Sequence, residues 1–129
     1  MRKVIFAAAA VLATAVSGAA AHPALASTGC GVTVSVHNKT TSALTVQWAQ
    51  SDSRVQVFGI AGPWKELGSG STTIQAGDTA SKAFNLDFSC STAHQYRVHY
   101  TQGNSSAYRY APKDTSNWTT TTTPSVTVK

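Results

Sequence analysis

Two cysteines, each lying in an alternating pattern of apolar and polar residues, constrain the fold of this chain more than any other feature. Residues 30–36 place Cys or Val at every second position, and residues 84–90 place Phe, Leu, Phe and Cys in the same way. Since successive side chains of a β-strand point to opposite faces, both sulfurs are expected on core-facing sides of strands. We therefore predict an inter-strand disulfide between Cys30 and Cys90, with two buried free thiols as the alternative.

The first residues have the features of a secretory signal peptide. Met1-Arg2-Lys3 supplies a positive start, an alanine-rich apolar run covers 4–16, and Ala24-Leu25-Ala26 is a small-x-small cleavage site. We predict a signal peptide over 1–26, or one cut after Ala21, and a single domain over 27–129. No later stretch approaches the ~20 apolar residues that span a bilayer. The protein is expected to be bacterial and secreted, either extracellular or periplasmic, where disulfides persist.

The charge of the predicted mature domain is small. Residues 27–129 contain eight Lys and Arg and five Asp and Glu, a formal charge of +3 against +5 for the whole chain. The basic residues form no run, so nucleic acid is not expected as a partner.

The rest of the pattern predicts an all-β domain. No stretch has a sustained helical period, and Thr, Ser and Val dominate. Strands are predicted at 32–37, 43–49, 54–58, 72–75, 83–90, 95–101 and 107–111, with an edge strand after Pro124. Seven to eight short strands favour a two-sheet antiparallel β-sandwich of immunoglobulin-like architecture, with a small barrel as the alternative. Trp48 shares its parity with Leu44 and Val46 and is expected in the core.

Aromatic residues outside the predicted core indicate where a partner could bind. Residues 59–71 are rich in glycine, have no strand pattern, and carry Pro63-Trp64-Lys65. Trp64 is either a plug over one end of the fold, which we favour, or an exposed anchor for a partner. In residues 108–110 one parity is buried, so either both tyrosines face the core or Arg109 does. Exposed tyrosines near Trp118 would suit a sugar or a protein surface.

Signatures of catalysis and of metal binding are scarce. The five carboxylates form no spaced pair, and the chain has no Gly-x-Ser-x-Gly elbow, phosphate-binding glycine loop or Cys-x-x-Cys pair. His37, His94 and His99 could meet in space, but no sequence signature supports it. The simpler interpretation of His37 and His99 is that they are solvent-exposed strand residues rather than metal ligands. We expect no cofactor and no metal. Three sequons, at Asn38, Asn104 and Asn117, fit the N-glycosylation pattern, which in a bacterial protein is a coincidence of composition.

These observations favour a small, secreted, non-enzymatic binding protein, expected to be a monomer, that acts by surface contact with an unknown protein or carbohydrate. The alternative is a secreted toxin or antimicrobial protein acting on membranes, and an enzyme is the third hypothesis. Membrane contact is therefore possible but not favoured. The candidate binding residues are Pro63, Trp64, Lys65, Tyr108, Arg109, Tyr110 and Trp118.

Overall fold

The computed structural model describes residues 29–129, and the predicted signal peptide lies outside the described residues. The described chain forms nine strands and no helix, so it contains no helix that could cross a membrane. The strands are β1 (Cys30–Asn38), β2 (Leu44–Val57), β3 (Ile60–Ala61), β4 (Lys65–Glu66), β5 (Ser71–Ile74), β6 (Thr79–Leu86), β7 (His94–Gln102), β8 (Ser105–Ala111) and β9 (Ser125–Val128). The prediction of an all-β domain is confirmed.

The smaller sheet has three strands in the order β6-β1-β9. Strand β1 pairs with β6 in antiparallel fashion, and Cys30 lies opposite Leu86. On its other side β1 pairs with β9, but in parallel, so the expectation of a purely antiparallel fold is wrong here. The segment after Pro124 is nevertheless an edge strand, as predicted, since β9 lies at the end of the order β6-β1-β9.

The larger sheet is built around β2, which the sequence pattern wrongly divided into two strands. It is one strand of 14 residues that pairs with β7 along one edge. The pairing shifts register between Gln47 and Asp52, where a polar turn was expected. Ser51 is buried there; its hydroxyl donates to the Gln47 carbonyl (2.8 Å) and accepts from the His99 N–H (2.9 Å). A side chain thus replaces the backbone partners that the bulge removes, and the strand continues.

The other edge of β2 is covered in turn by β5, β4 and β3, while β8 pairs with the far side of β7. Residues 59–71, expected to be a long loop, therefore run mostly back along β2. The register between β3 and β2 differs by one residue from that between β4 and β2. The extra residue lies in Gly62-Pro63-Trp64, and the Gly62 N–H still donates to the Val55 carbonyl (2.8 Å). Such a bulge re-aims the side chain beside it.

The two sheets share one hydrophobic core, formed by every second residue of the longer strands. Its members are, from the smaller sheet, Cys30, Val32, Val34, Val36, Phe84, Leu86, Val126 and Val128, and from the larger sheet, Leu44, Val46, Trp48, Ile74, Tyr96, Val98, Tyr100 and Ala111. Leu67, just after β4, completes the core. The core position predicted for Trp48 is confirmed. Its indole lies 5.2 Å from the ring of Phe84 and donates to the Thr72 hydroxyl (2.9 Å).

The disulfide between Cys30 and Cys90 is confirmed, with a Cα–Cα distance of 5.0 Å. It is not an inter-strand bridge, however, because β6 ends at Leu86 and Cys90 lies in the following turn. Strand β1 begins at Cys30, opposite Leu86, so residues beyond Leu86 have no β1 residue left to pair with. The bridge therefore joins the start of β1 to the turn between β6 and β7.

Asn38, at the end of β1, is a buried polar centre that ties three segments together. Its amide group donates to the carbonyls of Ser42 (2.9 Å), Ile74 (3.0 Å) and Gln75 (3.2 Å). Its carbonyl oxygen accepts from the backbone N–H (3.0 Å) and the hydroxyl (2.6 Å) of Thr40. Since the residue is fully buried and its amide nitrogen is engaged, the Asn38 sequon cannot accept a glycan in the folded protein. Asn104 and Asn117 are exposed.

Candidate functional site

The outer face of the larger sheet carries a cluster of arginine and aromatic side chains. Strand register brings its central residues together, because residues opposite one another on neighbouring strands lie on the same face of the sheet. Arg97 of β7 lies between Asp52 of β2 and Tyr110 of β8, and His99 lies opposite Tyr108. We call this surface the aromatic–arginine face. It consists of Arg54, Trp64, Arg97, Tyr108, Tyr110 and Trp118.

Arg97 is the centre of this face. Its Nε donates to the Asp52 carboxylate at 2.7 Å, and its guanidinium carbon lies 4.5 Å from the Trp64 ring centroid and 4.6 Å from that of Tyr108. Partial burial acts to lower the pKa of Arg97, but the hydrogen bond and charge of Asp52, helped by Tyr108 and Tyr110, outweigh it and the pKa is raised. Arg97 is therefore a fixed cation that orders the rings around it.

Arg54 is held by rings in the same way but faces no carboxylate. Its guanidinium carbon lies 4.4 Å from the Trp64 ring centroid and 5.4 Å from that of Trp118. Its Nε donates to the side-chain oxygen of Gln95 (2.9 Å). In the described part of the chain the Arg97–Asp52 pair is the one ion pair within 4.0 Å. The positive charge of Arg54 is thus not neutralised by a carboxylate of residues 29–129.

The backbone explains how two distant tryptophans reach this face. Trp64 follows the bulge on the edge of β2, beside Arg54. Trp118 belongs to the loop after β8, which is held down by Gln95, whose buried amide donates to the carbonyls of Thr115 (2.9 Å) and Asn117. Both tryptophans are half-buried. Each is therefore anchored along one side and presents the other to solvent.

The two tyrosines complete the face along β8, and both are half-buried. The ring of Tyr110 lies 6.2 Å from that of Trp64, and the rings of Tyr108 and Tyr110 are 6.3 Å apart. The ring of Tyr108 also packs against the imidazole of His99 at 5.0 Å. These edge and tilted contacts are the arrangements that aromatic pairs prefer, so the side chains support one another.

Four of the seven residues predicted to bind lie together on the aromatic–arginine face: Trp64, Tyr108, Tyr110 and Trp118. Trp64 is not a plug over the end of the fold, because it lies on the face of a sheet. Pro63 and Lys65 are exposed beside it on the sheet edge. Arg109 lies on the opposite face, opposite Val98, with its guanidinium carbon 5.2 Å from the Tyr100 ring centroid.

Sequence reasoning missed Arg54 and Arg97 as members of the site. The alternating pattern already put Arg97 on the outer face of its strand, but it could not show which aromatic residues from other segments cover it. Arg54 was hidden for a further reason, because it was assigned to the start of a separate strand rather than to the middle of β2.

Arg109 lines a separate cleft of about 550 Å³ between β8 and β9. Lys39, Lys113 and Lys129 also line this cleft, and no acidic side chain does. The lining of the cleft is positively charged, and it also includes Tyr110.

The three histidines of the described chain lie in three different surroundings. His37 contacts the Thr79 hydroxyl (2.8 Å) on the smaller sheet, His94 is buried, and His99 contacts the Gln47 side chain (2.6 Å) on the larger sheet. Residues 29–129 contain no group of three or more His, Cys, Asp or Glu that could hold a metal ion. What the aromatic–arginine face offers chemically is a set of rigid rings and two cations, which is suited to binding.

Comparison with known proteins identified no relative of this chain. No protein-family model matches the chain, and neither a curated protein nor a solved structure matches it significantly.

Proposed function

We propose that this is an exported, non-enzymatic binding protein that holds its target against the aromatic–arginine face. The observation that carries the proposal is the stacking of two arginines on one partly exposed tryptophan, with Arg54 and Arg97 at 4.4 and 4.5 Å from the Trp64 ring. Trp, Tyr and Arg are the residues that most often dominate the binding energy of protein interfaces. Their mutual packing fixes the side chains before the target arrives, which lowers the entropic cost of binding.

The charge of the face favours a protein target with exposed carboxylates. Asp52 neutralises Arg97, whereas Arg54 faces only ring and amide groups, so a carboxylate from the target would supply the partner it lacks. An arginine already stacked on a ring needs little rearrangement to bind a carboxylate with two parallel hydrogen bonds. A carbohydrate is the alternative target, since Tyr108 and Tyr110 offer aromatic rings along the same strand.

Export and a sandwich fold belong to the same proposal. The signal-like first 26 residues support export, and the Cys30–Cys90 disulfide is compatible with an oxidising compartment. Two sheets around one core support the immunoglobulin-like sandwich. The other function considered, a toxin or antimicrobial protein acting on membranes, is suggested by the modest positive charge, the aromatic residues and the threonine-rich tail of the sequence.

The proposal is tested by comparing three single variants on arrays of extracellular proteins and of glycans. Arg54→Ala and Trp64→Ala should each weaken the retention of the target at least about tenfold, the effect of losing a hot-spot side chain. Lys82→Ala is the matched control, because Lys82 is an exposed cation on the smaller sheet, and it should bind as the wild type does. Unfolding temperatures of all variants are measured alongside.

Two results would contradict the proposal. One is target retention that survives both face variants. The other is retention that falls only in proportion to the loss of folded protein, which would make the aromatic–arginine face a purely structural cluster.

A further inference from the structure

The tip of the β2–β3 hairpin exposes apolar side chains that the fold itself does not use. Phe58 is 99% exposed, Ile60 72% and Val57 51%, and these are the exposed large hydrophobic residues of the described chain. All three lie within one four-residue turn. Scattered single apolar residues are normal on a surface, but a concentrated apolar protrusion marks a site of interaction.

The backbone conformation of this turn disfavours a phenylalanine at position 58. Phe58 has a φ of 53° and Gly59 a φ of 75°, the left-handed pair of a type I′ hairpin turn. Asn or Asp normally precedes the glycine in such turns, because they tolerate a positive φ and a bulky residue does not. Since the Phe58 side chain is almost completely exposed, neither local conformation nor packing within the domain favours a phenylalanine here.

The composition around the tip fits the interface of a lipid bilayer. The ten residues 55–64 carry no charged side chain, and they are bounded by Arg54 and Lys65. Trp64 and Trp118 stack near Arg54 at the base of the hairpin. Apolar side chains at the tip, with tryptophan and cations together behind them, match the way a bilayer accepts apolar side chains in its interior and aromatic and basic side chains near its headgroups. Asp52 is paired with Arg97, and the charge of Glu66 offsets that of Lys65. Insertion of apolar side chains is therefore expected to contribute more to membrane binding than attraction to anionic lipids.

The dimensions and the hydrogen bonding of the hairpin also suit insertion. At about 3.3 Å per residue, Arg54 lies roughly 13 Å back along the strand from Phe58, far enough to stay at the headgroups while the ring enters the acyl region. Val57 pairs with Ile60 and Gln56 with Ala61, and the Gly62 N–H donates to the Val55 carbonyl. The backbone groups that face each other across the hairpin are therefore bonded to one another, which lowers the cost of taking them out of water.

We propose that the β2–β3 hairpin tip, with Phe58 at its apex, inserts into the interfacial region of a lipid bilayer and anchors the protein there. A hydrophobic pocket on a partner protein is the competing occupant, and the protruding, charge-flanked shape favours the bilayer. Residues 57–60 lie outside the aromatic–arginine face, whereas Arg54 and Trp64 at the base of the hairpin belong to it. A substitution at Phe58 therefore tests the anchoring without altering that face.

The test uses the purified protein and vesicles of phosphatidylcholine, alone or with one quarter phosphatidylglycerol. Phe58→Asn removes the ring and supplies a residue that suits the positive φ, so the variant should fold at least as well as the wild type. It should bind vesicles about tenfold more weakly or worse, the effect of losing one buried phenylalanine side chain. Phe58→Trp should still bind, and its added fluorescence should shift to the blue and be quenched by lipids brominated in the acyl chain.

A double variant, Phe58→Asn with Asn104→Phe, is the matched control. It has the same composition as the wild type but carries the phenylalanine on the β7–β8 turn, at the other end of the sheet. Vesicle binding should not be restored. The proposal is overturned if the wild type ignores both kinds of vesicle, if Phe58→Asn binds as well as the wild type, or if the double variant regains binding. A wild-type protein that ignores vesicles but loses a protein partner on Phe58→Asn would assign the tip to a protein pocket instead.

Discussion

Replacing the buried Asn38 side chain should strongly destabilise the protein. The side chain is fully buried and fixes the end of β1 to the 40–42 turn and to the segment after β5. In Asn38→Ala all of these side-chain hydrogen bonds are lost, and the carbonyl of Ile74 is left buried without this donor. We expect the fold to persist with a lower free energy of unfolding.

The expected loss in the free energy of unfolding follows from the number of hydrogens that the Asn38 side chain shares in hydrogen bonds. The amide group has two hydrogens shared among three carbonyls, and its oxygen accepts two more from Thr40. At a net value of about 1 kcal/mol for each of four bonded hydrogens, the variant should lose roughly 4 kcal/mol. The loss is somewhat smaller if the Ser42 carbonyl keeps its other donor, the side chain of Gln102 at 3.1 Å.

Urea unfolding followed by tryptophan fluorescence measures this loss, provided that the dependence on denaturant is unchanged. Thr40→Val is the graded comparison: it removes one of the four hydrogens and also the acceptor of the Gln102 amide at 2.7 Å. It should therefore cost about 1–2 kcal/mol, less than Asn38→Ala. Asn38→Asp keeps the acceptor but turns an oxygen toward three carbonyls, so it should be as harmful as alanine at neutral pH. Part of its stability should return in acid, where the protonated carboxyl can donate again. A loss below about 1 kcal/mol for Asn38→Ala would refute the reasoning.

Two further predictions concern the core. Because the Cys30–Cys90 bridge spans 60 residues, the free energy of unfolding of the Cys30→Ala/Cys90→Ala double variant in urea should be about 4 kcal/mol lower than that of the wild type. The folded fraction of this variant should still bind the target normally. An unchanged free energy of unfolding would contradict this prediction. Burial raises the pKa of the Tyr96 hydroxyl, so the folded state keeps a proton that the unfolded state releases, and stability should fall as the pH rises above about 10. Tyr96→Phe loses the hydrogen bond to the Thr121 carbonyl (3.1 Å), which should lower the free energy of unfolding by about 1 kcal/mol at neutral pH. Between pH 9 and 11, however, the melting temperature of this variant should fall less than that of the wild type. An equal fall would assign the alkaline destabilisation to other groups.

The alternating pattern predicted the strands well where both faces of a strand differ in polarity. β1, β7 and β8 were located to within one or two residues. Burial alternates along the whole of β1 and along β7 from Tyr96 to Tyr100, whereas β8, which does not alternate, was located by its two tyrosines and the polar turn before it. Cys90 was placed in a strand because it continues the parity of Phe84 and Leu86. Parity along the chain cannot show that β1 begins opposite Leu86, so the pattern extended β6 too far.

The candidate site was predicted in its aromatic members but not in its arrangement. Trp64, Tyr108 and Trp118 stood out because large aromatic residues lie outside the core pattern. What joins them is the hairpin return of residues 60–66 along β2 and the loop that Gln95 holds down. Both depend on contacts between distant segments, and the one-residue bulge before Trp64 has no sequence signal beyond its glycine and proline. The polar stretch 50–53 was wrongly predicted to be a turn for a related reason. The Ser51 hydroxyl replaces missing backbone hydrogen-bond partners there, so the strand continues through it.

The central claim, that the aromatic–arginine face is the binding surface, is tested most directly by the indole N–H signals of the three tryptophans in NMR spectra recorded with and without the retained target. Trp48 is an internal control, because its indole is buried and bonded to Thr72. We predict that the signals of Trp64 and Trp118 shift on binding while that of Trp48 stays in place. Unchanged signals of Trp64 and Trp118, with shifts instead around Arg109 or on the smaller sheet, would contradict the account.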